Sequence, residues 1–233
     1  MTGPLRVALL CSQRAPGLRH LLTSDPNRGS LYEIVCCVSS EEDSSARAEA
    51  EARGTPFLTH AFARFCRERA TKRTDLTVRP HYDAATVELL APFEPDLILL
   101  SSYLLILTKP MLHAFGSRIV NIHGSDLAKR DASGRPRYVG LRAVRDALIA
   151  GETETRATAH LVTAVLDEGP ILCRSQAFPV SPLVADALRR GAIDVVKAYA
   201  FAHQEWMLAT AWGPLLSESI ERISVREPAC LVP

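Results

Sequence analysis

Short apolar runs and longer amphipathic segments alternate along the first hundred residues. An apolar run of about six residues is typical of a strand that is buried on both faces of a parallel sheet. Such runs predict strands at residues 6–11, 32–38, 56–60 and 96–100, of which the last is the most hydrophobic and is expected at the sheet centre. The strand–helix–strand order predicts a right-handed, doubly wound α/β fold with a Rossmann-like, mostly parallel sheet.

Helices are expected in the segments between these strands. Hydroxyl and acidic side chains at residues 39–43 suit the exposed amides of a helix start, and Gly54 suits the end of that helix. Further helices are predicted at residues 83–91, 110–115 and 140–150. Residues 61–80 are less regular and basic, which favours a solvated helix face, with an anion-binding edge as the alternative.

The second half of the chain combines shorter strands with a helical end. A buried strand is predicted at residues 118–123, a half-exposed strand at 157–163, a tight turn at 166–170 and a further strand at 171–180. The polar segment 127–139 is expected to be a mobile loop. The chain is expected to be mostly helical from residue 182 to about residue 216, so we predict a main domain at residues 1–180 and a helical extension at 181–233 packed on it.

Composition and charge are those of an ordinary globular protein. The 233 residues are 47% hydrophobic and 23% charged, which is enough to bury a real core. The 27 basic residues nearly balance the 26 acidic ones, so overall charge gives no reason to expect a nucleic acid or an anionic membrane as partner. No apolar run approaches the ~20 residues of a membrane span, and the N-terminus lacks the apolar core of a signal peptide. A cytoplasmic location is therefore expected.

Six cysteines occur, and none belongs to a CxxC pair. They are Cys11, Cys36, Cys37, Cys66, Cys173 and Cys230. Several lie inside apolar runs, which favours small buried hydrophobic side chains in a reducing compartment over a disulfide framework or a zinc site. No metal is predicted.

The candidate chemistry begins where the strand at residues 118–123 ends. Side chains two apart in a strand share a face, so Asn121 and His123 could enter one pocket. The simpler alternative is a satisfied polar strand end followed by a turn. Asp167, in the turn after a later strand, could orient the imidazole, and an amide can donate to a developing oxyanion. Together the three residue types suit acyl transfer without a covalent nucleophile.

Two segments carry a resemblance to a known family. The segments Asn121-Ile122-His123-Gly124-Ser125 and Leu166-Asp167-Glu168-Gly169-Pro170-Ile171-Leu172 resemble the folate-dependent formyltransferases. That family includes glycinamide ribonucleotide transformylase, methionyl-tRNA formyltransferase and sugar-amine formyltransferases. The similarity runs from residue 5 to about residue 180 and includes Tyr82-Asp83, residues 99–107 and residues 140–162.

The resemblance implies 10-formyltetrahydrofolate as the donor and a catalytic set of three residues. Asn121 and His123 would stabilise the oxyanion, and Asp167 would tune His123 and assist proton transfer through water. His160 matches a histidine on the neighbouring strand, where core packing is as good an explanation as a direct role. The apolar pterin-binding loop corresponds to Tyr103, Leu104, Leu105, Ile106 and Leu107, and the opposite wall includes Val162, Thr163 and Val165.

The loop after the first strand departs from the family pattern. Glycinamide ribonucleotide transformylases have a Gly-Ser-Asn-type loop there, whereas this chain offers Ser12, Gln13 and Arg14 as acceptor-binding candidates, followed by Pro16, which has no N–H. The glutamate that binds ribose corresponds loosely to Ala202. Both departures disfavour that acceptor. Arg14 could pair with a carboxylate or phosphate on another amine, or simply be an exposed arginine.

Two further departures concern the residues near the reacting groups. Gly124, Ser125 and Asp126 follow His123 and complete the set of acceptor-binding candidates, in which Asp126 could bind the amino group of a substrate or cap a turn. Leu105 stands where the family often has an arginine near the folate tail, so the basic stretch at residues 64–73 is a candidate for meeting that tail.

The predicted function is an N-formyltransferase that acts on a small, amino-acid-like or specialised amine and not on glycinamide ribonucleotide. Three alternatives stay open: a 10-formyltetrahydrofolate hydrolase, a glycinamide ribonucleotide transformylase with an atypical phosphate loop, and a non-catalytic folate-binding protein. Known hydrolases carry an N-terminal regulatory domain, and a chain that starts at its first strand disfavours that option. The expected partners are folate and a small amine, with a homodimer through the helical C-terminus as a candidate assembly.

Overall fold

The computed structural model describes residues 3–225, within which nine strands and eight α-helices occur. The strands are β1 (Leu5–Cys11), β2 (Tyr32–Ser39), β3 (Phe57–Thr59), β4 (Leu97–Leu100), β5 (Ile119–His123), β6 (Glu154–Thr155), β7 (Thr158–Leu161), β8 (Ile171–Arg174) and β9 (Phe178–Pro179). The helices are α1 (Leu18–Thr23), α2 (Ala46–Glu51), α3 (Phe62–Glu68), α4 (Arg79–Leu90), α5 (Lys109–Phe115), α6 (Ala143–Ile149), α7 (Pro182–Arg189) and α8 (Ile193–Ser224). Short 3-10 turns cover Leu76–Val78, Ala91–Phe93 and Gly116–Arg118.

Seven of these strands form one sheet in the order β3-β2-β1-β4-β5-β7-β8. The five strands from β3 to β5 are parallel, and β7 and β8 continue the sheet in antiparallel fashion. The predicted doubly wound, mostly parallel fold is therefore confirmed. The strand with the most hydrophobic sequence, β4, is the fourth of seven, as its all-apolar composition indicates.

Alternate side chains of the central strands pack into two different cores. Val7 and Leu9 of β1 join a cluster that includes Leu21 of α1 and Leu216 of α8. Ala8, Leu10 and their neighbours face the opposite side, where Leu90 of α4 and both Met111 and Phe115 of α5 cover them. Because strand side chains alternate between faces, one short apolar run fills both layers.

The predicted start of α2 was wrong. The helix begins at Ala46 rather than near residues 39–43, because those side chains serve the loops. Ser39 Oγ donates to the carbonyl oxygen of Ser12, and the Ser40 and Ser12 hydroxyl oxygens lie 2.8 Å apart. The hydroxyl groups that resembled a helix start instead join the end of β2 to the loop after β1 through hydrogen bonds.

The basic segment 61–80 largely follows the favoured interpretation. Arg64 and Arg73 are exposed and pair with Glu42 and Glu41 at the surface. Arg79 is the exception, since only 5% of it is exposed, and it begins α4 four residues before the predicted start at residue 83. The burial of Arg79 departs from the solvated helix face that the basic composition of this segment favoured.

Two predictions for the second half also need correction. The strand predicted as half-exposed, β7, is buried along its whole length because β5 and β8 flank it and α8 covers one face. The strand predicted at 171–180 stops at Arg174, and β9 pairs instead with β6 in a separate two-stranded sheet. The final helix runs to Ser224, past the predicted end near residue 216, although Pro214 lies inside it.

The helical end packs on the same core as the sheet. Met207, Leu208 and Leu216 of α8 belong to the cluster that contains the β1 and β7 side chains. A division of the chain at residue 180 stays a prediction. The homodimer also stays a prediction. Phe201, 69% exposed, and Trp206, 45% exposed, leave apolar surface on α8. No helix among the residues described is long and apolar enough to cross a membrane.

Five of the cysteines lie within the described range, and all five are free and buried, as the sequence predicts. They are Cys11, Cys36, Cys37, Cys66 and Cys173, whereas Cys230 lies outside the described residues. Burial raises the pKa of Cys11 to about 11, which makes this thiol a poor nucleophile.

The loop after β1 approaches α8 closely at two glycines. A Cβ atom on Gly17 would lie 2.8 Å from the backbone nitrogen of Gly213, and Gly17 has a positive φ of 83°. A Cβ atom on Gly213 would lie 2.6 Å from that of His20. The contact fixes the loop and the first helix against the last helix.

Gly17→Ala is expected to lower the free energy of unfolding more than Gly54→Ala. Both glycines have positive φ, 83° and 68°, so each alanine incurs a left-handed backbone cost of about 1–2 kcal/mol. Only the alanine at residue 17 would also collide with backbone, which adds about 1–3 kcal/mol of overpacking. Urea denaturation of both variants measures the difference, and equal losses would show that the close approach has no energetic weight.

Candidate functional site

A cavity of about 540 Å³ opens beyond the carboxyl ends of β4 and β5. Ligands of open α/β sheets bind at this edge, where strand order and loop direction leave a crevice. Its walls come from the β4–α5 loop (residues 101–108), the end of β5, residues 162–167 after β7, and one face of α8. Twenty-five residues line the cavity, and they include aliphatic, aromatic, amide, imidazole and carboxylate side chains.

The structure brings together most of the residues that the sequence singled out. Those that line the cavity are Asn121, His123, Asp167, Tyr103, Leu104, Leu105, Ile106, Leu107, Val162, Thr163, Val165 and Gly124. Those that lie outside its described lining are Ser12, Gln13, Arg14, Ser125 and Asp126. The predicted catalytic and pterin-binding sets therefore share one cavity, whereas of the predicted acceptor set only Gly124 lines it.

His160 orients the amide of Asn121. The imidazole Nδ1 lies 3.0 Å from the carbonyl oxygen of Leu161, which only accepts, so Nδ1 carries the proton. Nε2 then presents a lone pair to Asn121 Nδ2 at 3.2 Å. The second N–H of the amide is left for the cavity. Burial lowers the pKa of His160, and the nearby charge of Asp167 opposes that shift without overcoming it.

His123 is held between a backbone carbonyl and a carboxylate. Its Nε2 lies 3.0 Å from the carbonyl oxygen of Tyr138, which fixes the proton on that nitrogen. Its Nδ1 faces Asp167 Oδ2 at 3.5 Å, so a proton that reaches Nδ1 is stabilised by the carboxylate. Tyr138 also accepts from Ser125 Oγ at 2.6 Å. Segment 127–139 contains no helix or strand, but Tyr138 ties it to the site.

Asp167 reaches these groups from an unusual backbone conformation. Its φ is 56°, in the left-handed region that few residues other than glycine adopt, and only 5% of the residue is exposed. The backbone N–H of Gly140 donates to Oδ2 at 2.8 Å. Gly169, two residues later, leaves no room for a side chain, since its Cβ would lie 1.8 Å from the Leu161 carbonyl oxygen.

The two long walls of the cavity are apolar and accessible. Leu104 and Ile106 on one side, and Val165 and Leu166 on the other, are each about half exposed. Facing apolar walls of this kind suit a flat aromatic ligand. The β4–α5 loop is tied to the loop after β1, because the backbone N–H of Leu104 donates to Ser12 Oγ at 3.0 Å.

The predicted acceptor loop, residues 12–17, makes hydrogen bonds to three neighbouring segments of the protein. Ser12 is buried, and its hydroxyl group is hydrogen-bonded to the hydroxyl of Ser40 and to the backbone N–H of Leu104. The carbonyl oxygen of Gln13 accepts from the backbone of Ser45. The side chains of Ser12 and Gln13 therefore have no place in the cavity lining that the structure describes, and their predicted role in binding substrate stays a prediction.

Arg14, in the loop after β1, forms an ion pair with Glu205 of α8. Two parallel bonds of 2.6 Å join the guanidinium to the carboxylate, and the two side chains keep 46% and 35% of their surface exposed. The hydrogen bonds from Arg14 lower the pKa of Glu205. Arg14 is thus exposed, as one of the two sequence-based alternatives has it, and paired with Glu205, while its role toward a substrate anion stays a prediction.

Sequence reasoning missed the contribution of α8. Gln204, Leu208 and Trp212 line the cavity at intervals of four residues, which places them on one helix face. Glu205 lies beside Gln204 on the same helix. The four-residue spacing of these side chains was the available signal, but it is equally typical of a packed core.

Ser125 and Asp126 face a separate, very small cavity of about 10 Å³. Asp126 Oδ1 accepts from the backbone N–H of Ala128, and its carboxylate meets Arg174 at 3.2 Å. Of the two roles that the sequence left open for Asp126, this geometry favours the turn cap. Among residues 3–225, no group of three or more His, Cys, Asp and Glu side chains is arranged to hold a metal ion.

The fold and site find a direct counterpart among known proteins. The chain belongs to the formyl transferase family, whose pattern matches residues 5–190. It is 31% identical over 179 residues to the phosphoribosylglycinamide formyltransferase of Mycobacterium tuberculosis, covering 77% of this chain and 73% of that protein. It is 30% identical over 167 residues to the formyltetrahydrofolate deformylase of Bacillus subtilis, covering 72% of this chain and 48% of that protein.

A solved structure agrees with this membership. The crystal structure of glycinamide ribonucleotide transformylase 1 from Symbiobacterium toebii aligns with a TM-score of 0.65 and 29% identity, over 89% of this chain and 87% of that one. Some relatives are far longer: the chain spans 12% of the trifunctional purine biosynthetic protein adenosine-3 of Drosophila melanogaster, at 30% identity. The resemblance inferred from the sequence is confirmed.

His160 is expected to be neutral at pH 7, with its proton on Nδ1. Since burial lowers its pKa below the ordinary value of 6.5, the unfolded chain binds this proton at a higher pH than the folded chain, and acidification below about pH 6.5 destabilises the fold. Nitrogen NMR of the imidazole reports the tautomer, and urea midpoints between pH 7 and 5 report the stability. A proton on Nε2 at pH 7 would contradict the orientation derived for Asn121.

Proposed function

We propose that this protein is a cytoplasmic N-formyltransferase that moves a formyl group from 10-formyltetrahydrofolate to the amine of a small molecule other than glycinamide ribonucleotide. The observation that carries the proposal is the meeting of Asn121, His123 and Asp167 at the polar end of an apolar-walled cavity. Five buried, free cysteines within residues 3–225 support a reducing compartment.

The cavity fits the proposed donor in shape and polarity. The walls formed by Leu104 and Ile106 and by Val165 and Leu166 suit the faces of a pterin. The Asp167 carboxylate lines the same cavity, which supports its place beside the reacting formyl carbon in this proposal. The bound donor supplies an activated formyl group, and the residues of the chain stabilise the oxyanion and carry the proton.

The reaction needs a stabilised oxyanion and a route for one proton. The amine nitrogen bonds to the formyl carbon, the bond from that carbon to the folate nitrogen breaks, and the proton lost by the amine ends on the departing nitrogen. The N–H of Asn121 that His160 does not use is available to the oxyanion. Asp167 and the Nδ1 of His123 offer adjacent places for the proton in transit.

The position of His123 refines its role. Its Nε2 proton is donated to Tyr138 in this structure, so the Tyr138 carbonyl competes with the oxyanion for that proton. Stabilisation of the oxyanion by His123 would require Tyr138 to move away. Asn121 needs no such movement, which supports it as the principal oxyanion donor.

The Arg14–Glu205 pair supports an amino-acid-like acceptor. A phosphate would have to displace Glu205 from Arg14, and Pro16 has no N–H to offer in its place. A guanidinium and a carboxylate side by side match a ligand that carries a carboxylate and an ammonium group. Such a ligand could exchange the internal pair for two external ones while a further amine enters the cavity beside Gln204.

A second candidate is hydrolysis of the same donor with water as acceptor. The observation that favours it is the similarity to the Bacillus subtilis protein named formyltetrahydrofolate deformylase. The same oxyanion donor and the same carboxylate would serve a water nucleophile, so the acceptor side of the site decides between the two reactions.

Tetrahydrofolate release from 10-formyltetrahydrofolate is expected with one class of small amine and not with a control that lacks amine. The panel contains diamino acids, amino sugars and glycinamide ribonucleotide, and a spectrophotometric assay measures release. Because the Arg14–Glu205 pair matches a zwitterion, the diamino acids are expected to be the active class. Release without amine would establish the hydrolase, and release with glycinamide ribonucleotide alone would overturn the proposed acceptor.

Asp167→Asn is expected to lower kcat by at least about 100-fold, since the proton loses its carboxylate. Asp126→Asn is the matched control: it too replaces a buried aspartate, but one outside the cavity, and kcat should stay within about threefold. Steady-state kinetics on both variants, with melting curves to confirm folding, test the assignment. Full activity in Asp167→Asn would remove Asp167 from the mechanism, whereas a raised acceptor KM in Asp126→Asn would restore its predicted substrate role.

A further inference from the structure

A buried ion pair lies beneath the β4–α5 loop, outside the catalytic set. Arg79 and Asp83, one turn apart on α4, have exposures of 5% and 0%, and Arg79 Nη2 meets Asp83 Oδ1 at 3.0 Å. Burying two charges is expensive, and apolar replacements of similar volume often stabilise a protein as well or better. Stability alone is therefore a weak reason for this pair.

Both partners of the pair hold backbone of the β4–α5 loop. Arg79 Nη2 donates to the carbonyl oxygen of Ile106 at 2.7 Å. Asp83 Oδ2 accepts from the backbone N–H of Thr108 at 2.6 Å and from its hydroxyl at 2.7 Å. The loop has no regular secondary structure between residues 101 and 108, so these bonds take the place of a strand or helix ladder.

The guanidinium is itself confined by aromatic rings. Its carbon lies 4.8 Å from the ring centre of Phe62 and 5.0 Å from that of Tyr82. The charge of Arg79 also acts on Tyr103 in the loop. Burial raises the pKa of the Tyr103 phenol, and the positive charge of Arg79 opposes that rise. A flat cation between rings has few alternative positions, so its hold on Ile106 is well defined.

The held segment is the wall of the cavity. Leu104, Leu105, Ile106 and Leu107 all line it, and Ile106 is 62% exposed there. The carbonyl oxygen of Ile106 is bonded to Arg79, and the residue also lines the cavity. The opposite end of the loop is tied separately through Ser12 Oγ and Leu104.

We propose that Arg79 and Asp83 are positioning residues that set the conformation of the β4–α5 loop and thereby the affinity for the folate donor. The donor identity rests on the proposed function, whereas the hold on the loop rests on the hydrogen bonds alone. The pair touches neither the reacting atoms nor the acceptor side, so it acts on donor binding and leaves the chemical step unchanged.

The test replaces the whole pair, because removing one partner would leave a buried charge. Arg79→Met/Asp83→Leu is apolar at both positions, and Glu218→Leu/Arg222→Met removes an exposed pair of the same four-residue spacing on α8 as control. Melting curves show whether each variant folds. If the apolar double variant does not fold, Arg79→Lys replaces it in every measurement, since it keeps the positive charge beside Asp83 and removes the guanidinium fork that donates to Ile106.

Three measurements are compared with the unmodified protein: amide hydrogen exchange over residues 101–108, tetrahydrofolate affinity by calorimetry, and kcat at saturating donor. The pair variant is expected to exchange faster in that segment and to bind tetrahydrofolate at least about tenfold more weakly, with kcat within about threefold, while the control matches the unmodified protein. Unchanged exchange or unchanged affinity in a folded pair variant would overturn the proposal. Absence of tetrahydrofolate binding by the unmodified protein would instead overturn the folate-based function, and exchange alone would then decide whether the pair holds the loop.

Discussion

A carboxylate buried to 5% exposure must find its donors in the protein, and the site is arranged around that need at Asp167. The Gly140 N–H supplies one donor at 2.8 Å, and the Nδ1 of His123 stands at 3.5 Å to supply another when it is protonated. Two loops and the end of one strand, which are distant in sequence, converge at this carboxylate. The segment before α6 places the Gly140 N–H against the carboxylate, and the turn between β7 and β8 carries Asp167 itself. The last residue of β5, His123, lies on the other side of the carboxylate.

This arrangement carries local costs that only the assembled site offsets. The left-handed backbone at Asp167 costs about 1–2 kcal/mol for a residue with a Cβ. Ser102, at the start of the opposite wall, has a φ of 52° and bears a similar cost. Such conformations persist where surrounding bonds determine the backbone, and both residues line the cavity. Ala70 and Glu94 also have positive φ but lie outside the cavity lining, so two of the four non-glycine residues with positive φ within residues 3–225 lie at the candidate site.

The sequence was most informative where one local pattern decides the structure. The all-apolar runs at β1, β2 and β4 predicted the parallel sheet, since few other structures bury both faces of so short a segment. The spacing of Asn121 and His123 predicted a shared pocket because strand geometry leaves little choice. The resemblance then linked both to Asp167, whose distance along the chain gives no geometric clue.

Local patterns failed where contacts between distant segments decide the structure. The hydroxyls near residues 39–43 read as a helix start but are bonded to Ser12, and β7 read as half-exposed but is covered by α8. Arg79 lay in a basic stretch that suggested solvation, although the carboxylate of Asp83 four residues later was a usable hint. The pairing of Arg14 with Glu205 spans 191 residues, and no local rule connects them.

Helix α8 contributes one wall of the cavity, and this wall can change in sequence without any change in the loops that form the other walls. The donor walls and the reacting groups all come from residues 101–167, whereas the facing side chains Gln204, Leu208 and Trp212 come from the last helix. Under the proposed function, substitutions along that one helix face alter which nucleophile is admitted while the formyl chemistry is inherited unchanged.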